Sequence, residues 1–273
     1  MSYLPSAISD MHSSDNVILE ARQLQKAFGG VMAVAGVDLT IRRAEIFALI
    51  GPNGAGKTTM FNLVSGTHAL DRGEIEFDGQ PIHGLPPHRI AARGLVRTFQ
   101  NLQVFNAMTV LENVLVGRHT RSRTGFVSAA LRLPRVAAEE GRMRAHAMEC
   151  LEKVGLAARA NNLAASLPFW QQRLLEIARA LAAEPILLML DEPAAGLNRA
   201  ETEALDDLIK RIRDGGITVL LVEHDMNLVM GIADRVAVLH YGLKIAEGTP
   251  AEVQADERVI QAYLGEDWAV FNA

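Results

Sequence analysis

The stretch Gly51-Pro52-Asn53-Gly54-Ala55-Gly56-Lys57-Thr58-Thr59 sets glycines, a lysine and hydroxyls at the spacing a nucleoside triphosphate requires. Glycines let such a loop curl so that successive backbone N–H groups face a β-phosphate at a helix N-terminus. In that geometry Lys57 bridges the β- and γ-phosphates and the Thr58 hydroxyl ligates Mg²⁺. Residue frequencies alone produce the pattern in roughly one chain in a hundred of this size. The flanks narrow it further: residues 45–50 read as a buried strand, and residues 59–65 as a helix closed by Gly66. A phosphate loop is expected here, with Mg²⁺ beside it.

A second set of polar residues stands at the ends of apolar runs. Residues 186–190 end in Asp191-Glu192-Pro193, which puts two carboxylates at the carboxyl edge of a buried strand, where a phosphate loop also lies. Asp191 is placed to hold Mg²⁺ through water; Glu192 can reach past the γ-phosphate and polarise an attacking water as general base. Without the loop, the pair reads equally well as solvated turn carboxylates. The run 217–222 ends in Glu223-His224-Asp225, where a neutral His224 can hydrogen-bond the γ-phosphate and the attacking water. Alone, such a histidine is more often structural. Gln100, at the end of Arg97-Thr98-Phe99-Gln100, offers a neutral amide to Mg²⁺ when two parts of the chain close. Phe28, in the turn ahead of the loop, either stacks on an adenine ring or fills the core.

The elements that must hold these residues follow from periodicity. Residues 17–50 alternate as strands do, with a turn at Phe28-Gly29-Gly30, and residues 74–77 run into the hairpin signal Asp78-Gly79. From 104 to 182 the pattern turns helical, over 110–116, 137–154 and 171–182, with an Arg-, Ser- and Gly-dense segment at 118–134. Then come an apolar strand at Ile186, a helix over 199–213 stopped by Gly215-Gly216, a strand at Ile217, a hairpin over 235–247 and a polar C-terminal helix. The expected fold class is α/β: a P-loop core with a parallel sheet, an N-terminal antiparallel β layer and an inserted helical subdomain. The expected boundaries are a tail at 1–16, a core at 17–103 and 183–265, a helical subdomain at 104–182 and a tail at 266–273.

Bulk properties exclude several classes. A chain of 273 residues that is 49% hydrophobic can bury a sizeable core. A net charge of −5 supplies no basic field for nucleic acid or anionic lipid. No run approaches the ~20 apolar residues that cross a bilayer, so a membrane role must come through partners. Residues 1–16 lack the charged start and apolar centre of a signal peptide. The single cysteine, Cys150, falls in an amphipathic helical pattern and reads as a core residue in a reducing cytoplasm.

In this order, the pieces resemble the ATP-binding subunits of ABC transporters over residues 17–265. The phrases Lys26-Ala27-Phe28-Gly29-Gly30-Val31, Val96-Arg97-Thr98-Phe99-Gln100, Asp191-Glu192-Pro193-Ala194-Ala195-Gly196-Leu197-Asn198 and Val222-Glu223-His224-Asp225-Met226 are similar to the ATPase subunit of high-affinity branched-chain amino acid importers. So are the Arg-rich insertion after Gly117 and the ending from Gly248-Thr249-Pro250 to Ala262-Tyr263-Leu264-Gly265. The resemblance implies an ATPase paired with a second ATP-binding subunit, each phosphate loop facing the other's signature helix. Permease subunits would dock near Gln100 and the helical block at the cytoplasmic face of the membrane, and a binding protein would deliver cargo to them. Related importers of amides or urea, and ABC-type ATPases without transport, are the alternatives. The latter usually carry two ATPase units or a long coiled coil, which this chain lacks.

One segment departs from that family. Its signature reads close to Leu-Ser-Gly-Gly-Gln, or Leu-Ala-Tyr-Gly-Gln in the branched-chain group, whereas this chain has Leu167-Pro168-Phe169-Trp170-Gln171. In the family this helix start meets the partner's γ-phosphate, and its last glycine leaves room for the approach. Trp170 would fill that room, Pro168 removes an N–H donor, and Ser166 is the expected N-cap. Three readings stay open: the indole swings aside, the signature serves a degenerate site in a heterodimer, or the chain is altered and deficient in transport. On the crowding argument, Trp170→Gly is expected to raise the ATPase rate.

Overall fold

The computed structural model describes residues 16–98, 102–118, 134–224 and 226–263. Gln100, Asp225, most of the Arg-rich insertion and both expected tails, apart from Asn16, fall outside those residues.

Two sheets carry the structure. In the first, β1 (Val17–Phe28), β2 (Val31–Arg42), β4 (Arg72–Phe77) and β5 (Gln80–Pro81) form a four-stranded antiparallel layer in the order β2-β1-β4-β5. The second has six strands, in the order β10-β9-β3-β8-β7-β6. It comprises β3 (Ile46–Ile50), β6 (Leu95–Arg97), β7 (Leu187–Asp191), β8 (Thr218–Val222), β9 (Arg235–His240) and β10 (Leu243–Gly248). All neighbours in it are parallel except β9 and β10, which make the expected hairpin.

The strands of the second sheet are apolar on both faces because both faces are covered. Ile46, Ala48 and Ile50 of β3 point into a core shared with helices, while Phe47 and Leu49 point into the core under the antiparallel layer. The same alternation holds for Leu188 and Leu190 against Leu187 and Met189, and for Val219 and Leu221 against Leu220 and Val222. Truncating such a residue, as in Leu190→Ala, costs about 2–5 kcal/mol.

Helix α1 (Lys57–Val64) follows β3, and α2 (Pro87–Ala92) precedes β6. Next come α3 (Val110–Arg118), α4 (Pro134–Lys153) and α5 (Phe169–Ala182), which pack on one another as a helical block. Helix α6 (Arg199–Asp214) starts at a full capping box, Asn198 with Glu201, and buries Leu205, Leu208, Ile209 and Ile212 along one stripe. Helix α7 (Met226–Ile232) then links β8 to β9. The single expected C-terminal helix is in fact two, α8 (Pro250–Ala255) and α9 (Glu257–Tyr263). They break at Asp256, whose backbone is extended and whose carboxylate turns to Arg258.

Parallel pairing has one consequence for function. Strands β3, β6, β7 and β8 all end at the same sheet edge, so the segments after Ile50, Arg97, Asp191 and Val222 emerge side by side.

Candidate nucleotide-binding site

The loop between β3 and α1 is held open by backbone packing that only glycine permits. Gly51 has φ 150°, and a Cβ there would lie 2.1 Å from the Leu239 carbonyl oxygen; Gly56 has φ 104°, and its Cβ would lie 2.4 Å from that of Ala33. Gly56 is also the N-cap of α1, with no side-chain cap, which leaves the first N–H groups of the helix for a ligand. Lys57 is buried and donates to the carbonyls of Gly51 at 2.6 Å and Pro52 at 3.0 Å, so its ammonium already sits inside the curl.

A cavity of about 360 Å³ opens over this loop. Residues 53–59 line it, with Ala33 on one side and Glu192 and His224 opposite. Glu192 follows β7 in a left-handed conformation at φ 47°, which costs a non-glycine residue about 1–3 kcal/mol and turns its side chain into the cavity. His224 Nε2–H donates to Glu192 Oε1 at 2.6 Å. His224, expected on phosphate and water, lines the same cavity as the phosphate loop and meets the Glu192 carboxylate there.

Asp191 lies behind Glu192 at the end of β7 and is 1% exposed. Its Oδ2 accepts from Arg97 Nη2 at 2.7 Å, and its Oδ1 has no hydrogen-bond partner among the described residues. Burial pushes the Asp191 carboxyl above the usual carboxylate range, opposed by the Arg97 guanidinium. Among the described residues no cluster of three or more His, Cys, Asp or Glu could hold a metal by itself. Mg²⁺ needs fewer protein ligands, since it is bound through one or two carboxylates together with substrate phosphates. The orphaned Oδ1 and the hydroxyl of Thr58 in the first turn of α1 fit that donor set. Phe28 stands 44% exposed at the tip of the β1–β2 hairpin, not in the core, with its ring edge on His68 at 5.4 Å between centroids.

The altered turn has a different build. The N-cap of α5 is Pro168, without a side-chain cap, not Ser166. Ser166 Oγ donates to the Leu163 carbonyl at 2.7 Å, closing the short turn before it. The first intrahelical bond runs from the Gln172 N–H to the Pro168 carbonyl, so the N–H groups of Phe169, Trp170 and Gln171 precede the ladder. Leu167 is buried, Gln171 carries a buried side-chain oxygen without a partner among the described residues, and Phe169 is 47% exposed. Trp170 is half-buried, packs against the apolar core and lines a cleft with residues of α4 and α6. That packing favours the reading in which the indole swings aside.

Several residues that sequence reasoning left without a role join the site. Glu223, 4% exposed, accepts from the Ala194 N–H at 2.7 Å and from the His224 N–H at 3.0 Å, tying the loop after Glu192 to the loop carrying His224. Its place behind an apolar strand was the available signal. Arg97 fixes Asp191, and also donates to Asn62 of α1 at 2.6 Å. Tyr263 at the end of α9 hydrogen-bonds the Gly51 backbone, and burial drives its hydroxyl far above the ordinary range. Nothing in the local pattern around Arg97 or Tyr263 announces those partners.

A sequence profile described as ABC transporter matches residues 34–195, and one described as branched-chain amino acid ATP-binding cassette transporter matches residues 244–269. The chain is 46% identical over 250 residues to the high-affinity branched-chain amino acid transport ATP-binding protein BraF of Pseudomonas aeruginosa, covering 91% of this chain and 98% of BraF. Its fold is similar to the ADP conformation of MJ1267, an ATP-binding cassette of an ABC transporter, with a TM-score of 0.81 and 32% identity, covering 92% and 99% of the two chains. It is also similar to the dimeric cassette MJ0796 bound to ADP and Pi, with a TM-score of 0.72 and 26% identity, covering 85% and 99%.

Proposed function

The chain belongs to the ABC transporter family, and from that premise we propose that it hydrolyses ATP to drive an importer of branched-chain amino acids. The observation that carries the catalytic reading is the Glu192–His224 pair at 2.6 Å, facing the phosphate loop across one cavity. The loop N–H groups and Lys57 hold the β- and γ-phosphates, Lys57 exchanging the Gly51 and Pro52 carbonyls for phosphate oxygens. The Glu192 carboxylate accepts the proton of the attacking water, while His224 keeps the carboxylate aimed and Glu223 keeps the two loops together. The Thr58 hydroxyl, Asp191 and the Gln100 amide would hold Mg²⁺, which would supply charge neutralisation on the phosphate oxygens. Phe28 stacks on the adenine.

The site is half of a composite one. Its second half, the signature turn at residues 167–171, serves the ATP of another subunit, and the dimeric relative supports that arrangement. The partner is proposed to be a non-identical ATP-binding subunit, because a complete phosphate loop and an altered signature occur in the same chain. Among the described residues no helix is long and apolar enough to cross a membrane, so attachment at its cytoplasmic face is assigned to permease subunits. A groove of about 350 Å³ between Thr98 and the helical block, floored by Phe105 and Arg179, supports docking there. A binding protein outside the membrane would present the cargo.

The test is ATP hydrolysis by the chain co-purified with its permeases, with and without a loaded binding protein. Stimulation by leucine-, isoleucine- or valine-loaded protein is the expected result. Stimulation by short amides or urea alone would reassign the cargo.

A further inference from the structure

Phe28 ends β1 at a hairpin tip with open surroundings: a Cβ built on Gly29 or Gly30 would meet nothing within 4 Å. A ring in such a place swings freely unless side chains hold it. Two do. Lys26, two residues earlier, sets its ammonium over the Phe28 ring, 5.5 Å from the centroid, and His68 meets the ring in a T-shaped pair. Both holders are themselves tied. Lys26 Nζ donates to Asp71 Oδ1 at 2.7 Å, and Asp71 Oδ2 accepts from the Ala27 N–H at 2.7 Å. Chiefly the Lys26 hydrogen bond holds the Asp71 carboxyl below its ordinary range. The Lys26 side chain is only 16% exposed against 43% for Asp71, so a residue that usually extends into water is folded down on the ring. The His68 N–H donates to the Asn62 carbonyl of α1 at 3.0 Å, and the Asp71 N–H to the Gln25 carbonyl of β1 at 3.1 Å. Residues 65–71, between α1 and β4, thus tie the helix that opens at the phosphate loop to the strand end that carries the ring.

We propose that Lys26, His68 and Asp71 are positioning residues: they fix the Phe28 ring relative to α1, and so to the phosphate loop, and hold it ready for the base of a nucleoside triphosphate. The proposal rests on the reading of Phe28 as the adenine platform above. All three act through Phe28. Their contribution is preorganisation, because a ring already fixed loses little further freedom when a purine stacks on it.

The test is binding of two probes to the isolated full chain: ATP, and inorganic tripolyphosphate, which carries the phosphates without the base. Lys26→Met, His68→Ala and Asp71→Ala are each expected to weaken ATP binding about three- to tenfold, the cost of ordering a loosened aromatic. Tripolyphosphate should bind each variant within about twofold of the unmodified chain, since the phosphate loop is separate from the ring and its supports. Lys26→Met and Asp71→Ala shift the charge in opposite directions, so a loss of ATP affinity in both is not a field effect. Equal losses for both probes, or opposite effects of the two charge changes, overturn the proposal. In a Phe28→Ala background, Lys26→Met is expected to add nothing; a further loss equal to that in the unmodified chain also overturns it. Phe28→Ala alone separates the two readings. Unchanged ATP binding in that variant refutes the adenine platform and its supports together. Weakened binding there, beside unaltered binding in the three support variants, refutes the positioning role alone.

Discussion

The phosphate loop is fixed from within the chain: Gly51 and Gly56 press on the carbonyls of Leu239 and Ala33, Lys57 is buried in the curl, and Tyr263 pins Gly51. The turn at residues 167–171 has few such ties at its front. Its helix starts at an uncapped proline, its leading aromatic is exposed, and it is tied to the core by the buried Leu167 and the half-buried Trp170. The contrast separates two duties. Binding a triphosphate needs a preorganised cradle that one chain can build, whereas presenting a helix start to another subunit's nucleotide needs an exposed edge and a stiff mounting.

Glu192→Gln probes the first region hardest. Removing the base should cut hydrolysis about 10²–10⁴-fold while ATP binding persists, as read by single-turnover hydrolysis beside an ATP titration. An undiminished rate would remove Glu192 from the chemistry. Cys150 asks whether the helical block mounting the second region is packed as tightly as the first. It is 1% exposed, and burial pushes its thiol up to about 11. The raised value means less thiolate at neutral pH and reactivity that climbs only as pH approaches 11, so alkylation at pH 8 should run about 100-fold slower than in the unfolded chain. Equal rates would show a loose block.

Lys57→Ala should weaken ATP binding about 10–100-fold, the worth of charge-assisted hydrogen bonds at roughly 1.5–3 kcal/mol, measured by calorimetry on the isolated chain. Phe169→Ala should be milder. A drop of about threefold in the turnover of the assembled pair, with no change in ATP binding by the isolated chain, is the expected outcome, of the order of one exposed aromatic contact.

How far the sequence reached differs between the same two regions. The loop, its flanking strand and helix, the Asp78-Gly79 turn and the hairpin after Arg235 were readable because each is a local pattern of a few residues. The pairing of Arg97 with Asp191 joins positions 94 apart, and the reach of Tyr263 to Gly51 spans most of the chain, so neither leaves a periodic trace. Glu223 looked like one polar residue after a strand, and its role appears only when two loops emerge side by side. At Trp170 the sequence supplied the residue but not its rotamer: a glycine position occupied by an indole suggested blockage, and the packing of the ring on its own chain's apolar core leaves no local trace. The C-terminal split at Asp256 was hidden because Asp and Arg are ordinary on a polar helix face.

The separation of duties is tested most directly by the ATP affinity of the isolated chain carrying Phe169→Ala and Trp170→Gly together. The account predicts an affinity within about twofold of the unmodified chain, because the cradle from Gly51 to Thr59 owes nothing to that turn. A loss of tenfold or more, comparable with that of Lys57→Ala, would contradict it.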